Sequence, residues 1–81
     1  VYLEIITPDN KVYSGEIKNA NFPGTSGPFE ILLNHALMIA NLDKGEIVVQ
    51  SDKGEERFFV DGGTVEVLNN NIIVLAESAG K

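Results

Sequence analysis

Apolar and polar residues alternate along most of this chain in short runs, and turn-forming residues interrupt the runs about every eight to twelve positions, the pattern of an all-β domain. Tyr2 to Thr7 is rich in β-formers, with Leu3 and Ile5 on one face and Tyr2, Glu4 and Ile6 on the other. Pro8-Asp-Asn10 supplies a fixed φ and then two residues tolerant of left-handed backbone, so the chain reverses into Lys11-Val-Tyr-Ser14 as a hairpin. Gly15 interrupts the alternation and predicts a bulge that lets the strand bend and change sheets.

Further along, Asp43-Lys-Gly45 predicts a turn, Glu46 to Ser51 a strand, Ser51 to Gly54 a tight hairpin loop and Glu55 to Val60 the returning strand. In that strand Phe58 and Phe59 are the largest apolar side chains. Asp61-Gly-Gly63 predicts another turn, Thr64 to Leu68 alternates cleanly, and Asn69-Asn-Asn71 is a strong left-handed turn signal. The last run, Ile72 to Ala76, is apolar on both faces, which predicts a central strand covered on both sides. No amphipathic helical window or internal repeat is visible, so the expectation is a single domain over residues 1–81, built as a sandwich or flattened barrel.

One stretch does not fit strand-and-turn alternation. Asn21 to Leu42 holds Pro23 and Pro28, Gly24 and Gly27, and the sole histidine, His35. An irregular connection held by a regular β frame is where function is expected. Its apolar runs exceed what one face of a short strand needs. Ile31, Leu33, Ile39 and Leu42 read as core. For Leu37, Met38 and Ala40, between His35 and Asn41, two readings stand: simple burial, or an exposed apolar patch at a protein interface, where small residues admit a partner backbone and Met adapts to it.

Composition narrows the classes. With no cysteine and no zinc-binding cluster, the 43% apolar content of an 81-residue chain has to supply its stability, and a reducing compartment fits. No run approaches the ~18 apolar residues of a membrane span, and the chain reads as soluble, without direct membrane insertion. The six cations, Lys11, Lys18, Lys44, Lys53, Arg57 and Lys81, are scattered among twelve acidic residues for a net charge of −6, which argues against nucleic acid and anionic membrane surfaces as partners.

Chemistry is sparse. One histidine, serines only at positions 14, 26, 51 and 78, and no G-x-S-x-G elbow give a nucleophilic triad no support, so no catalytic residue is assigned. His35 lacks companions at ligand spacing and reads as a hydrogen-bonding side chain, so no metal is expected. Gly24-Thr-Ser-Gly27 is followed by Pro28 rather than by Lys-Ser/Thr and a helix, which makes it a tight turn rather than a phosphate cradle, and no cofactor is expected. Two rival classes remain. A stand-alone peptide- or carbohydrate-binding sandwich would display exposed aromatics, yet there is no Trp and only Tyr2 and Tyr13 beside four Phe. A small enzyme built on paired carboxylates has no particular pair to recommend it.

Six motifs in order carry a resemblance: Ile6-Thr-Pro8, Tyr13-Ser-Gly15, Pro23-Gly-Thr-x-Gly27, Asn34-His-Ala36, Gly62-Gly-x-Val-Glu-Val67 and Val74-Leu-Ala-Glu-Ser-Ala79. Together they span essentially the whole chain, which resembles the β-sandwich domain that begins the epsilon subunit of F-type ATP synthases. The resemblance implies a flattened β-sandwich of about ten short strands in the rotor of that enzyme. It also implies a noncatalytic role, coupling the gamma subunit to the c-ring in ion-gradient-driven ATP synthesis, within a peripheral complex on the cytoplasmic face of the bacterial inner membrane. By motif, His35, Ala36, Leu37, Met38 and Ala40 fall on the side that meets gamma, and Ser26, Gly27 and Pro28 in the loop that faces the c-ring. Members often carry G-H-A-P where this chain has Asn34-His-Ala-Leu37, and an acidic residue where Pro28 stands. Lys81 falls before the two-helix C-terminal region that inhibits hydrolysis or binds ATP in many members, so neither activity is assigned to these residues.

Overall fold

A computed structural model describes residues 1–32 and 37–80. Among the described residues eight strands run β1 (Tyr2–Ile6), β2 (Lys11–Glu16), β3 (Asn19–Phe22), β4 (Phe29–Ile31), β5 (Met38–Ser51), β6 (Gly54–Leu68), β7 (Asn71–Leu75) and β8 (Ala79–Gly80). They form one sheet in the order β2-β1-β7-β6-β5-β3-β4, with β8 against β6.

Against an expectation of about ten short strands, the described residues form eight, because two predicted turns lie within continuous strands. β5 runs through Asp43-Lys-Gly45 and β6 through Asp61-Gly-Gly63, and the two strands stay in one antiparallel register from Met38↔Val67 to Ser51↔Gly54. What the sequence marked there is a corner. Gly62 and Gly63 take φ values of 95° and 144°, which side chains resist, and a Cβ on Gly63 would run into the Leu75 carbonyl oxygen. The burial phase shifts by one residue across this corner in both strands. Phe58 and Val60 are buried before it in β6, and Val65 and Val67 after it; in β5, Leu42 precedes it, and Ile47 and Val49 follow. Each half of the long hairpin therefore turns its apolar side toward one interior, and the sheet folds into two layers.

The first layer is β2-β1-β7 with the second half of β6 and the first half of β5. The second is β4-β3 with the second half of β5, the first half of β6, and β8. Leu3, Ile5, Ile72 and Val74 of the first layer share a core with Phe22, Ile31, Ile47 and Phe58 of the second. Tyr13 of β2 meets Phe58 at a ring separation of 5.2 Å, although their strands lie well apart in the sheet order. The shortest dimension, 19 Å, is that of two stacked sheets. Each large side chain fully withdrawn from water contributes about 1.5–3 kcal/mol, and with no cysteine present this burial holds the fold together.

Gly15 does not form the expected bulge. It pairs regularly with Leu3, and the irregularity falls between Ile5 and Ile6, where β2 steps from Tyr13 to Lys11. The Tyr13 side chain reaches along the edge strand to the site a Gly15 Cβ would occupy, its hydroxyl 3.4 Å away, so the bare backbone is covered by an aromatic neighbour. The Asn69-Asn70 turn is as expected, with φ of 52° and 64° between the partners Leu68 and Asn71.

Candidate functional site

Strand alternation decides what each layer shows to the outside. In the first layer, Leu3, Ile5, Ile72, Val74, Val65 and Val67 point inward, so their neighbours point outward. The strand registers set these neighbours in rows: Glu4, Ile73, Glu66 and Ile39 in one, and Ile6, Leu75, Thr64 and Asn41 in the next. Ile39 is 74% exposed, Leu37 67%, Leu75 53% and Leu68 47%, while Ile6 and Ile73 are half-buried. An aliphatic band thus lies on the outside of this layer, broken by Glu66 and Thr64 but well beyond isolated exposed residues.

β7 accounts for part of the band. It is central, as its sequence predicted, and its inner residues are covered; on its outer side Leu75 is exposed and Ile73 only half-buried, so the expected cover on both sides is incomplete among the described residues. The second layer is different outside. Arg57 donates from Nε to the Glu55 carboxylate at 2.9 Å and from Nη1 to Glu46 at 3.3 Å, and Gln50 Nε2 donates to Glu55 at 2.8 Å. Hydrogen bonds from Gln50 and then Arg57 hold the Glu55 carboxyl below its ordinary range, and Glu55 in turn raises Arg57. Beside this network Phe59, 49% exposed, adds an apolar side chain to an otherwise charged surface.

The predicted patch divides between two faces. Leu37 is exposed, but Met38 and Ala40 lie opposite Val67 and Val65, are half-buried, and pack against the core. Ile39, expected in the core, is the most exposed large aliphatic residue among those described. The run is a strand, so alternate residues must part company: Leu37 faces out and Leu42 in, as one reading has them, whereas Met38 and Ala40 turn inward and Ile39 turns out. His35 and Ala36 lie outside the described residues. Sequence reasoning also passes over Ile6, Leu68, Ile73 and Leu75. The signal is present in a strand apolar on both faces, which reads as covered when only its inner side is.

Ser26, Gly27 and Pro28 are exposed on the loop between β3 and β4. Gly27, at φ 123°, closes a turn by donating to the Gly24 carbonyl at 3.0 Å. The base of the loop is fastened to the edge of β5: Thr25 N–H donates to the Asn41 carbonyl at 3.1 Å and Asp43 N–H to that of Pro23 at 2.6 Å. Stacked rings of Phe22 and Phe29, 5.4 Å apart, brace the strands beneath. A hollow of about 510 Å³ lies between the loop and residues Met38 to Asn41. Ile39 borders both this hollow and another of about 450 Å³ bounded by Leu37, Glu66 and Leu68, so the loop and the aliphatic band adjoin.

Among the described residues no group of three His, Asp or Glu side chains is placed to hold a metal ion, and no polar or charged residue is buried. The hydrogen bond to Glu4 raises the Lys11 ammonium, and this pair, like the Arg57 network, lies at the solvated surface. What the arrangement offers is contact area and rigid support.

A family model described as "ATP synthase, Delta/Epsilon chain, beta-sandwich domain" matches residues 1–81. The chain is 36% identical over 77 residues to the ATP synthase epsilon chain of Endomicrobium trichonymphae, covering 95% of this chain and 56% of that relative. It is 40% identical over 76 residues to the epsilon chain of Chlorobium limicola, covering 93% of this chain and 86% of that relative. Among solved structures, a chain of the Euglena gracilis mitochondrial ATP synthase (OSCP/F1/c-ring, rotational state 1) superposes with a TM-score of 0.89 over 96% of this chain and 51% of its own length. At 16% identity, that likeness speaks to the fold.

Proposed function

Because the chain belongs to the ATP synthase delta/epsilon chain β-sandwich family, we propose that it is a noncatalytic rotor subunit that couples the gamma subunit to the c-ring in ion-gradient-driven ATP synthesis. In this reading it sits at the cytoplasmic face of a bacterial inner membrane, held there by its complex. The observation that carries it, beside the family, is the outward aliphatic band: water-exposed Ile39, Leu37, Leu75 and Leu68 on one side of a domain whose other side is charged.

Gamma then covers the band, where Leu37 and Ile39 are the most exposed members, and its contacts include His35, Ala36, Leu37, Met38 and Ala40, the residues the family resemblance implies. Met38 and Ala40 support the band from the inner face. The β3–β4 loop, with Ser26, Gly27 and Pro28 at its tip, meets the c-ring. Transmitting torque requires that the two contacts not move relative to each other. The hydrogen bonds from Thr25 and Asp43 tie the loop to β5, the strand that carries Ile39, and the close-packed core resists shear between the layers.

Leu37→Asp combined with Ile39→Asp tests the docking. Both positions are exposed, so the melting temperature should hold within a few degrees. Affinity for gamma, measured by calorimetry, should fall by about 100-fold or more, since carboxylates would be buried against an apolar partner. Unchanged affinity contradicts the proposal.

A further inference from the structure

The aliphatic band carries a carboxylate that no described residue pairs with, and this constrains what can cover it. Glu4 is neutralised by Lys11, whose Nζ lies 2.8 Å from its carboxylate. Glu66 is exposed, stands in the same row between Ile73 and Ile39, and has no ion-pair partner among the described residues. Among the described residues it is the one charged side chain bordering the hollow with Leu37, Ile39 and Leu68. A partner lying flat on the band cannot avoid it.

Resting on the reading of this band as a docking surface, we propose that Glu66 determines specificity there: it receives a Lys or Arg side chain from a partner surface that is otherwise aliphatic. A purely aliphatic partner would strip water from an unpaired carboxylate, a cost that a few aliphatic contacts do not return. A second copy of this chain would bring carboxylates of the same face together, and a surface of anionic lipid would be repelled by them. A cation set among aliphatic groups satisfies both features at once, with the charge fixing the register and the aliphatic contacts giving the area.

Binding of gamma to the wild-type chain, Glu66→Gln, Glu66→Lys and Glu66→Leu, each at low and high salt, tests this. The exposed side chain should leave the melting temperature unchanged in every variant, which separates recognition from folding. Gln should weaken binding about 30-fold and flatten its salt dependence, because a charge pair across the interface is lost. Lys should weaken it further by like-charge repulsion, and Leu should weaken it at least as much as Gln despite adding apolar area. If wild type binds and Leu binds as well or better, with Gln and Lys unchanged, the charge pairing is refuted while the docking face stands. Failure of the wild-type chain itself to bind gamma removes the docking face and this inference together.

Discussion

The two outer faces of this sandwich come from the same long hairpin, yet they present opposite chemistry. Before the corner at Gly62 and Gly63, the outward residues of β6 include Glu55 and Arg57, tied into one ionic network with Glu46 and Gln50; after it they are Thr64, Glu66 and Leu68, with Ile39, Ile73 and Leu75 beside them. Identical strand geometry thus supports a finished surface on one side and an unfinished one on the other. A face made mostly of charged, hydrated side chains gains little from being covered, whereas a face that leaves several large aliphatic side chains in water gains more. The corner makes the difference usable, because it lets one continuous hairpin line both layers.

Breaking the corner should have the largest effect. Gly63→Ala combines positive-φ backbone with a collision at the Leu75 carbonyl, and it should cost about 3 kcal/mol or more in thermal or denaturant unfolding. A variant as stable as wild type would show that the two-layer bend does not depend on this residue. A smaller effect sharpens the contrast from the polar side. The Glu55 carboxyl is held below its ordinary value of 4.5 in the folded chain, so its contribution to stability is present above that value and disappears as pH falls through the lower folded midpoint. NMR titration should give a Glu55 midpoint below 4.5, and Gln50→Ala should move it upward, since the Gln50 hydrogen bond is the first cause of the shift. An unmoved midpoint would assign the effect to Arg57 alone.

Much of the fold is written in local signals. The alternation of Leu3 and Ile5, the two-residue turn at Asn69-Asn70 and the hairpin at Ser51 to Gly54 are settled by neighbours a few positions away, and the structure has them where the residues require them. Other features depend on distant parts of the chain. β1 lies parallel to β7, and β8 returns to Phe59 and Val60, pairings that no local pattern specifies. Asp61-Gly-Gly63 shows the limit clearly: glycines announce a change of direction, but whether the chain turns back or bends within a paired strand depends on the Asp43-to-Gly45 segment opposite. The surface is legible as a region and misread in phase. An apolar run such as Leu37 to Leu42 carries no local mark of which alternate faces the core, and only pairing with Val65 and Val67 turns Met38 and Ala40 inward and leaves Ile39 outside.

If the aliphatic face is the one that assembly covers, site-directed labelling will show it. The chain has no cysteine, so single cysteines can be placed as Ile39→Cys and Leu75→Cys on that face, and as Arg57→Cys on the opposite one, and their rates of maleimide labelling compared free and in complex with gamma. Positions 39 and 75 should become protected, by about tenfold or more, while position 57 keeps its rate. Protection at position 57 with continued labelling at 39 and 75 would contradict the assignment and turn the molecule around in its complex.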